Sequence, residues 1–279
     1  MSGVRRRVGD ITLWVEEQGS GSVVLCISGL GYSAWCWRDL AAALSRNHRV
    51  VTFDNRGTGR SDAPEDGYSI AQFARDAACV LEAVGAAQAH VVGHSMGGYI
   101  ALSLAVQRPE LVRSLVLIGT SSGGPGALPI PPATSEAWKA SVSLPPAEFA
   151  RATMPYSFAT GWSDAHPERF EELLARRLEF PTATEPWKKQ FRAVSELGRD
   201  GIDVASLSIP ALVIHGTDDR VVPYINGQRL ARQLPRARLH SMDGAGHLCF
   251  LEEPKRVLSL LQSWVEAHND SPSVHQRNQ

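Results

Sequence analysis

Residues 90–98 read His90-Val91-Val92-Gly93-His94-Ser95-Met96-Gly97-Gly98. An apolar strand runs into a Gly-x-Ser-x-Gly turn, and Tyr99–Val106 continues as an apolar helix. A serine at such a sharp strand-to-helix turn sits in strained backbone, so its hydroxyl projects out of the fold. Gly93 and Gly97 remove side chains that would collide across the turn. The helix that starts there aims its unpaired N–H groups and its positive dipole end at the hydroxyl. Ser95 is therefore a candidate nucleophile, and the backbone N–H of Met96 a candidate oxyanion donor. The five-residue pattern alone is a weak signal, and the competing reading is a glycine-rich turn with a bystander serine. The flanking strand and helix favour the nucleophile.

Further short β-rich runs lie on either side. Val4–Val8 and Ile11–Glu17 flank Gly9-Asp10, a hairpin signal. Val23–Ser28, Arg49–Asp54, Ser114–Gly119, Ala211–His215 and Arg238–Met242 follow, mostly as continuous Val/Ile/Leu runs. Such runs suit strands buried on both faces of a parallel sheet. Helical stretches alternate with them: Arg38–Ser45, Ile70–Val84, Met96–Gln107, Asn226–Gln233 and Pro254–Ala267. The alternation predicts an α/β fold with right-handed crossovers and a doubly wound sheet. Residues 121–208 break this rhythm. They hold a Gly/Pro-rich stretch and then helical pieces (Pro167–Leu178, Trp187–Leu197), with no strand evident. A long insertion of this kind is expected to be a helical cap. The polar tail 268–279 is expected to be disordered.

A serine needs a base to take its proton, and the base needs an orienting carboxylate. His247 lies in the glycine-rich loop Asp243-Gly244-Ala245-Gly246-His247 after the last strand, where an imidazole can reach over the sheet's carboxyl edge. His94 is the obvious rival, but it points away from Ser95 at the turn and is expected to pack beneath it. His215, at a buried strand end, is expected to hydrogen-bond locally. Two adjacent carboxylates, Asp218 and Asp219, follow the Ala211–His215 strand and compete for the acid role.

The chain closely resembles the α/β-hydrolase-fold superfamily over nearly its whole length. The resemblance rests on Ser28-Gly29-Leu30-Gly31, Asp54-Asn55-Arg56-Gly57-Thr58-Gly59-Arg60-Ser61, Gly93–Gly97, His215-Gly216-Thr217-Asp218-Asp219 and Gly246-His247. It also rests on the order nucleophile, acid, histidine. It implies an α/β-hydrolase core over 1–120 and 209–267, built on a mostly parallel sheet of about eight strands flanked by helices, with the helical cap at 121–208. The family's strand–Gly-x-x-Asp pattern implies Asp219 as the acid, leaving Asp218 as a turn residue or a partner of Arg220. The loop that often reads His-Gly-x-Gly implies Leu30 as the second oxyanion donor, although Ser28 stands where histidine is common. Asp54–Ser61 reads as an ion-paired structural loop.

A serine nucleophile disfavours the epoxide hydrolases and haloalkane dehalogenases of this fold, which use aspartate. The resemblance implies a serine hydrolase of carboxylic esters or lactones. Carbon–carbon bond hydrolysis and cofactor-free perhydrolysis (haloperoxidase) are the alternatives, and no cofactor or metal is called for. Selectivity is expected from Tyr32 and Trp35 after the oxyanion loop. It is also expected from cap residues such as Trp138, Tyr156 and Trp162, with Met154, Phe158 and Trp187 beside them, suggesting an apolar pocket for a small-molecule substrate. Cap arginines such as Arg151 or Arg192 offer a carboxylate contact.

Two readings from other classes compete. Gly29-x-Gly31-x-x-Ala34 after a strand, with Asp54 twenty residues on, satisfies a short dinucleotide-binding fingerprint. It leaves Ser95, Asp219 and His247 unexplained. A ligand receptor with negligible turnover is the other. The 279 residues carry 28 Lys plus Arg against 29 Asp plus Glu, a net charge of −1, which removes the electrostatic case for nucleic acid or an anionic membrane as partner. No secretory or membrane-spanning pattern is evident. Cys26, Cys36, Cys79 and Cys249 show no metal spacing and read as reduced thiols of a cytoplasmic protein. A monomer or homodimer is expected.

Overall fold

A computed structural model describes residues 3–269. Its eight strands are β1 (Gly3–Val8), β2 (Ile11–Gln18), β3 (Val23–Ile27), β4 (Arg49–Phe53), β5 (Ala89–His94), β6 (Val112–Ile118), β7 (Ala211–Gly216) and β8 (Ala237–Met242). They form one sheet in the order β1-β2-β4-β3-β5-β6-β7-β8. The β1–β2 hairpin closes at Val8↔Ile11, as Gly9-Asp10 predicts, and β2 pairs antiparallel with β4. Every other pairing is parallel. The strand order reverses around β3, which places the loops after β3 and β5 at a topological switch point, where open α/β sheets bind ligands.

The helices of the core are α1 (Arg38–Leu44), α2 (Ile70–Ala83) and α3 (Met96–Gln107). Five more lie between β6 and β7: α4 (Pro132–Ser141), α5 (Pro146–Thr153), α6 (Trp162–Ala165), α7 (Pro167–Glu179) and α8 (Thr184–Asp200). The last three are α9 (Tyr224–Gln233), α10 (Cys249–Glu252) and α11 (Pro254–His268). The continuous apolar strands are explained by two separate cores. Val23, Leu25 and Ile27 face one core with α2, α3 and α9, while Val24 and Cys26 face the other with α1 and α11. The same period-two division holds for Leu115 and Leu117 against Val116 and Ile118, and for Val213 against Leu212 and Ile214.

The segment between β6 and β7 is more helical than its prolines suggest. α4 and α5 both start on proline, at the first-turn position where proline's missing N–H costs nothing. α8 starts at Thr184, three residues before the expected Trp187, with Pro186 in its first turn. Of the expected disordered tail, His268 ends α11 and Asn269 follows it, while 270–279 lie outside the described residues. No helix among the described residues is long and apolar enough to cross a membrane.

Candidate active site

Ser95 joins β5 to α3 with φ +56° and ψ −117°, and it is the only non-glycine residue with positive φ among those described. The strain is held from several sides. The Ser95 amide donates to the Ile118 carbonyl at 2.9 Å, and the Ser95 carbonyl accepts from Gly98 N–H at 2.8 Å and Thr120 Oγ1 at 2.9 Å. The flanking glycines are required by contact. A Cβ on Gly93 would lie 2.2 Å from the Gly97 carbonyl oxygen, and one on Gly97 would lie 2.1 Å from that of Ile27. Met96 is the first residue of α3, so its N–H has no intrahelical acceptor.

His247 lies in the loop after β8 and is buried. Its Nδ1 is 2.8 Å from Asp219 Oδ2. Nδ1–H donates in that contact, which leaves the Nε2 lone pair as the basic site. His247 and Ser95 line the same cavity. Asp219 is fixed on both oxygens: Oδ1 accepts the Val221 and Val222 amides, each at 2.8 Å, and Oδ2 also lies 3.2 Å from His215 Nε2. Burial alone pushes this carboxyl up, but the charge of His247 and the hydrogen bonds from His215 and His247 outweigh it. Asp219 is held well below the usual carboxylate range. His215 Nε2 also donates to the Val222 carbonyl at 2.8 Å, a local role as expected.

The neighbouring Asp218 accepts the Thr160 amide at 2.6 Å and so ties the 121–208 segment to the strand-end loop. Its anticipated pairing with Arg220 does not form, because the Arg220 guanidinium lies 4.9 Å from the centre of the Tyr156 ring. His94 also differs from expectation. It is buried, yet its ring lines the cavity 4.6 Å from the His247 ring, and its Nε2 lies 3.1 Å from the His247 carbonyl oxygen. Burial, reinforced by His247, pushes its pKa well below the ordinary histidine value, so it is a neutral donor that props the base.

The loop after β3 is braced without the common histidine. Ser28 Oγ accepts from Trp37 Nε1 at 3.0 Å, and Asn55 Nδ2 donates to the Ser28 carbonyl at 3.1 Å. Gly29 packs directly on the nucleophile turn, since a Cβ there would lie 3.1 Å from Ser95 Cβ. Leu30 lines the cavity. Asp54 is fully buried and accepts the Ala34 and Arg60 amides at 2.7 and 2.9 Å. The ribose contact that the dinucleotide reading assigned to Asp54 is thus closed to it.

A cavity of about 510 Å³ opens beside Ser95. Of the five residues expected to contact substrate, Tyr32 and Trp138 line it, and Trp35, Tyr156 and Trp162 do not. The 3₁₀ turn Ala34–Trp37 turns Trp35 into the core with α1. Tyr156 is taken up by Arg220, and Trp162 stacks between Phe158 and His166 at 4.4 and 4.8 Å. Sequence reading missed Leu128, Ile130 and Phe191, which supply apolar wall. Phe191 had a signal, because it follows Trp187 at one helical turn and stacks on it at 5.3 Å. Arg199 reaches the cavity rather than Arg151, which is paired with Glu171 at 3.0 Å. Glu252 was also missed. It accepts the Gly246 and Ala159 amides at 3.0 and 3.2 Å, anchoring the His247 loop, and burial pushes its carboxyl up to about 7.

Known proteins share this architecture. A family model described as alpha/beta hydrolase fold matches residues 22–254. A protein of Variovorax paradoxus named as the carbamate hydrolase RutD is 35% identical over 242 residues, 84% of this chain and 87% of that one. The 2-hydroxymuconate semialdehyde hydrolase of a Pseudomonas species, strain CF600, is 33% identical over 93% of this chain and 92% of its own. The solved structure of the esterase RhEst1 from a Rhodococcus species superposes with a TM-score of 0.81 at 28% identity, covering 95% of this chain and 98% of that one.

Proposed function

The chain belongs to the alpha/beta hydrolase fold family, and on that premise we propose that it is a serine hydrolase of carboxylic esters or lactones that works through an acyl-enzyme. The observation that carries the reading is the Asp219–His247 pair, whose imidazole lines one cavity with a serine held at φ +56°. With Nδ1–H committed to Asp219, His247 Nε2 accepts the Ser95 proton as Oγ attacks the substrate carbonyl carbon. The Met96 and Leu30 amides hold the resulting oxyanion, each contributing a few kcal/mol. Imidazolium then protonates the leaving group, and water repeats the cycle on the acyl-enzyme. The depressed Asp219 stays ionised throughout and stabilises the imidazolium.

The cavity favours a small, largely apolar substrate: its lining includes Leu30, Leu128, Ile130, Trp138 and Phe191, and no carboxylate lines it among the described residues. A second reading, attack on a carbamate or on a ketone whose carbon–carbon bond then breaks, is favoured by the two sequence relatives named above. It uses the same residues. Hydrolysis rates over nitrophenyl esters of rising chain length, several lactones, an aryl carbamate and a vinylogous diketone separate the two. Esters or lactones turning over fastest support the first reading, and a preference for either of the others replaces it. Ser95→Ala is expected to lose about 10⁴-fold or more in kcat with its melting temperature retained. Equal activity in that variant rules out both readings.

A further inference from the structure

We propose that Gln190, on α8, is a positioning residue for the oxyanion hole, acting through Gly31 to fix which amide of the loop after β3 is free to donate and where it points. The inference rests on the serine-hydrolase reading above and adds a role for the 121–208 segment within it.

Gln190 is completely buried, and all three of its side-chain hydrogen bonds leave its own helix. Its Oε1 accepts the Gly31 N–H at 3.0 Å. Its Nε2 donates to the Arg56 carbonyl at 2.9 Å and to Thr58 Oγ1 at 2.7 Å. The Arg56 end is itself rigid, because its guanidinium makes a bidentate, buried pair with Asp76 at 2.6 and 2.7 Å. Gln190 therefore spans from a fixed core loop to Gly31. The Gly31 carbonyl accepts Thr182 Oγ1 at 3.2 Å, so both main-chain polar groups of this one residue are held by the same insertion. Trp187 closes the third side: Gly31 has φ +70°, and a Cβ there would lie 2.8 Å from Trp187 Cδ1.

The consequence falls on Leu30. Its N–H shares a peptide unit with the Gly29 carbonyl, which accepts the Tyr32 amide at 3.1 Å. That bond sets the plane of the unit, and the Leu30 N–H points opposite to it. The next unit carries the Gly31 N–H, and Gln190 holds that one. With Gly31 committed to Gln190, the Leu30 amide is the donor left to the cavity. Gly29, pressed against Ser95, fixes its distance from the nucleophile. A buried glutamine is costly to place unless its amide is satisfied. Here the carbonyl end holds the loop that carries the donor, and the amide end ties Gln190 to the Asp54–Ser61 loop. Misplacing such a group by about 1 Å can cost about 10²-fold, and losing one outright about 10²–10³-fold.

The test compares wild type, Gln190→Met, Thr182→Val and Ser95→Ala on a nitrophenyl ester. Rates are normalised to reactive serine titrated with a fluorophosphonate probe, and Ki is measured for an aryl trifluoromethyl ketone, whose adduct places an oxyanion in the hole. Gln190→Met is expected to lower kcat about 10- to 100-fold, to leave KM within about threefold, and to weaken the ketone by the same factor as kcat. Thr182→Val, a milder change at a half-exposed site, is expected to move both in the same direction by about three- to tenfold. Should Gln190→Met not fold, Thr182→Val decides. Wild-type kcat and ketone affinity per titrated serine overturn the proposal, and so does a rise in KM alone. A fully active Ser95→Ala instead overturns the hydrolase reading on which the proposal rests.

Discussion

Asp218 and Asp219 are adjacent in the chain, yet their carboxylates serve different loops. Asp219 meets His247 Nδ1 at 2.8 Å, and Asp218 accepts the Thr160 amide at 2.6 Å. The Asp219 carboxylate is in addition held by the Val221 and Val222 amides, the turn geometry that makes it a fixed partner for an imidazole.

The division predicts unequal substitutions. Asp219→Asn is expected to lower kcat by about 10⁴-fold, because an amide no longer selects the His247 tautomer with Nε2 free. Asp218→Asn keeps an acceptor for Thr160 and is expected to stay within about threefold of wild type. Steady-state rates on one ester decide it, and similar losses in both variants would reject the assignment.

Trp138 lines the cavity and packs edge-to-face on Trp187 at 5.8 Å and on Phe191 at 6.0 Å. Trp138→Ala is expected to lengthen the pocket there. The ratio of kcat/KM for an octanoyl over an acetyl ester should rise about 5- to 30-fold, in line with roughly 1–2 kcal/mol of altered apolar contact. A ratio unchanged from wild type would place the acyl chain elsewhere.

Arg56 and Asp76 form a bidentate pair in which each side chain is 3% exposed. Removing one charge strands the other, so Asp76→Asn is expected to destabilise the fold by about 3–5 kcal/mol in urea titration. A loss below about 1 kcal/mol would show that water reaches the guanidinium.

His90 Nδ1 is 2.8 Å from Ser114 Oγ and Nε2 is 3.0 Å from Asn269 Oδ1. Burial pushes its pKa down from 6.5 to about 4. Within that window the unfolded chain binds a proton that the folded chain refuses. The stability that rests on neutral His90 is complete above pH 6.5 and lost progressively as pH falls toward 4. Glu252, raised by burial from 4.5 to about 7, acts in the opposite sense, since its contribution falls as pH rises through that range. The His90 effect is therefore read as a difference. The stability of wild type minus that of His90→Asn should decline with a slope of up to about 1.4 kcal/mol per pH unit between pH 6.5 and 4. A flat difference would mean that the imidazole is hydrated.

Much of the fold is local in origin and was legible along the chain. Strand runs read as Val23–Ser28 and Ser114–Gly119 declare themselves by apolar continuity, although the second strand starts two residues earlier, at Val112. Met96–Gln107 declares itself by the glycine turn before it and Arg108-Pro109 after it. The Gly93–Gly97 turn declares Ser95 because backbone strain and close approach restrict which residues fit there. The insertion was harder, since α4 and α5 begin on prolines whose helical use depends on their being first residues.

The sequence by itself determined the succession of the strands and the main core helices, the strained serine, and the glycine-rich loop that carries His247. These depend on propensity and sterics within a few residues. The family pattern already implied Asp219 over Asp218. Only the tertiary structure decided the rest: that its carboxylate lies 2.8 Å from the imidazole, that Tyr32 and Trp138 line the cavity while Trp35, Tyr156 and Trp162 pack elsewhere, and that Gln190 grips Gly31. The Asp219–His247 and Gln190–Gly31 contacts join residues 28 and 159 apart in the chain. Side-chain direction across such separations is set by how layers pack, and no local pattern encodes it.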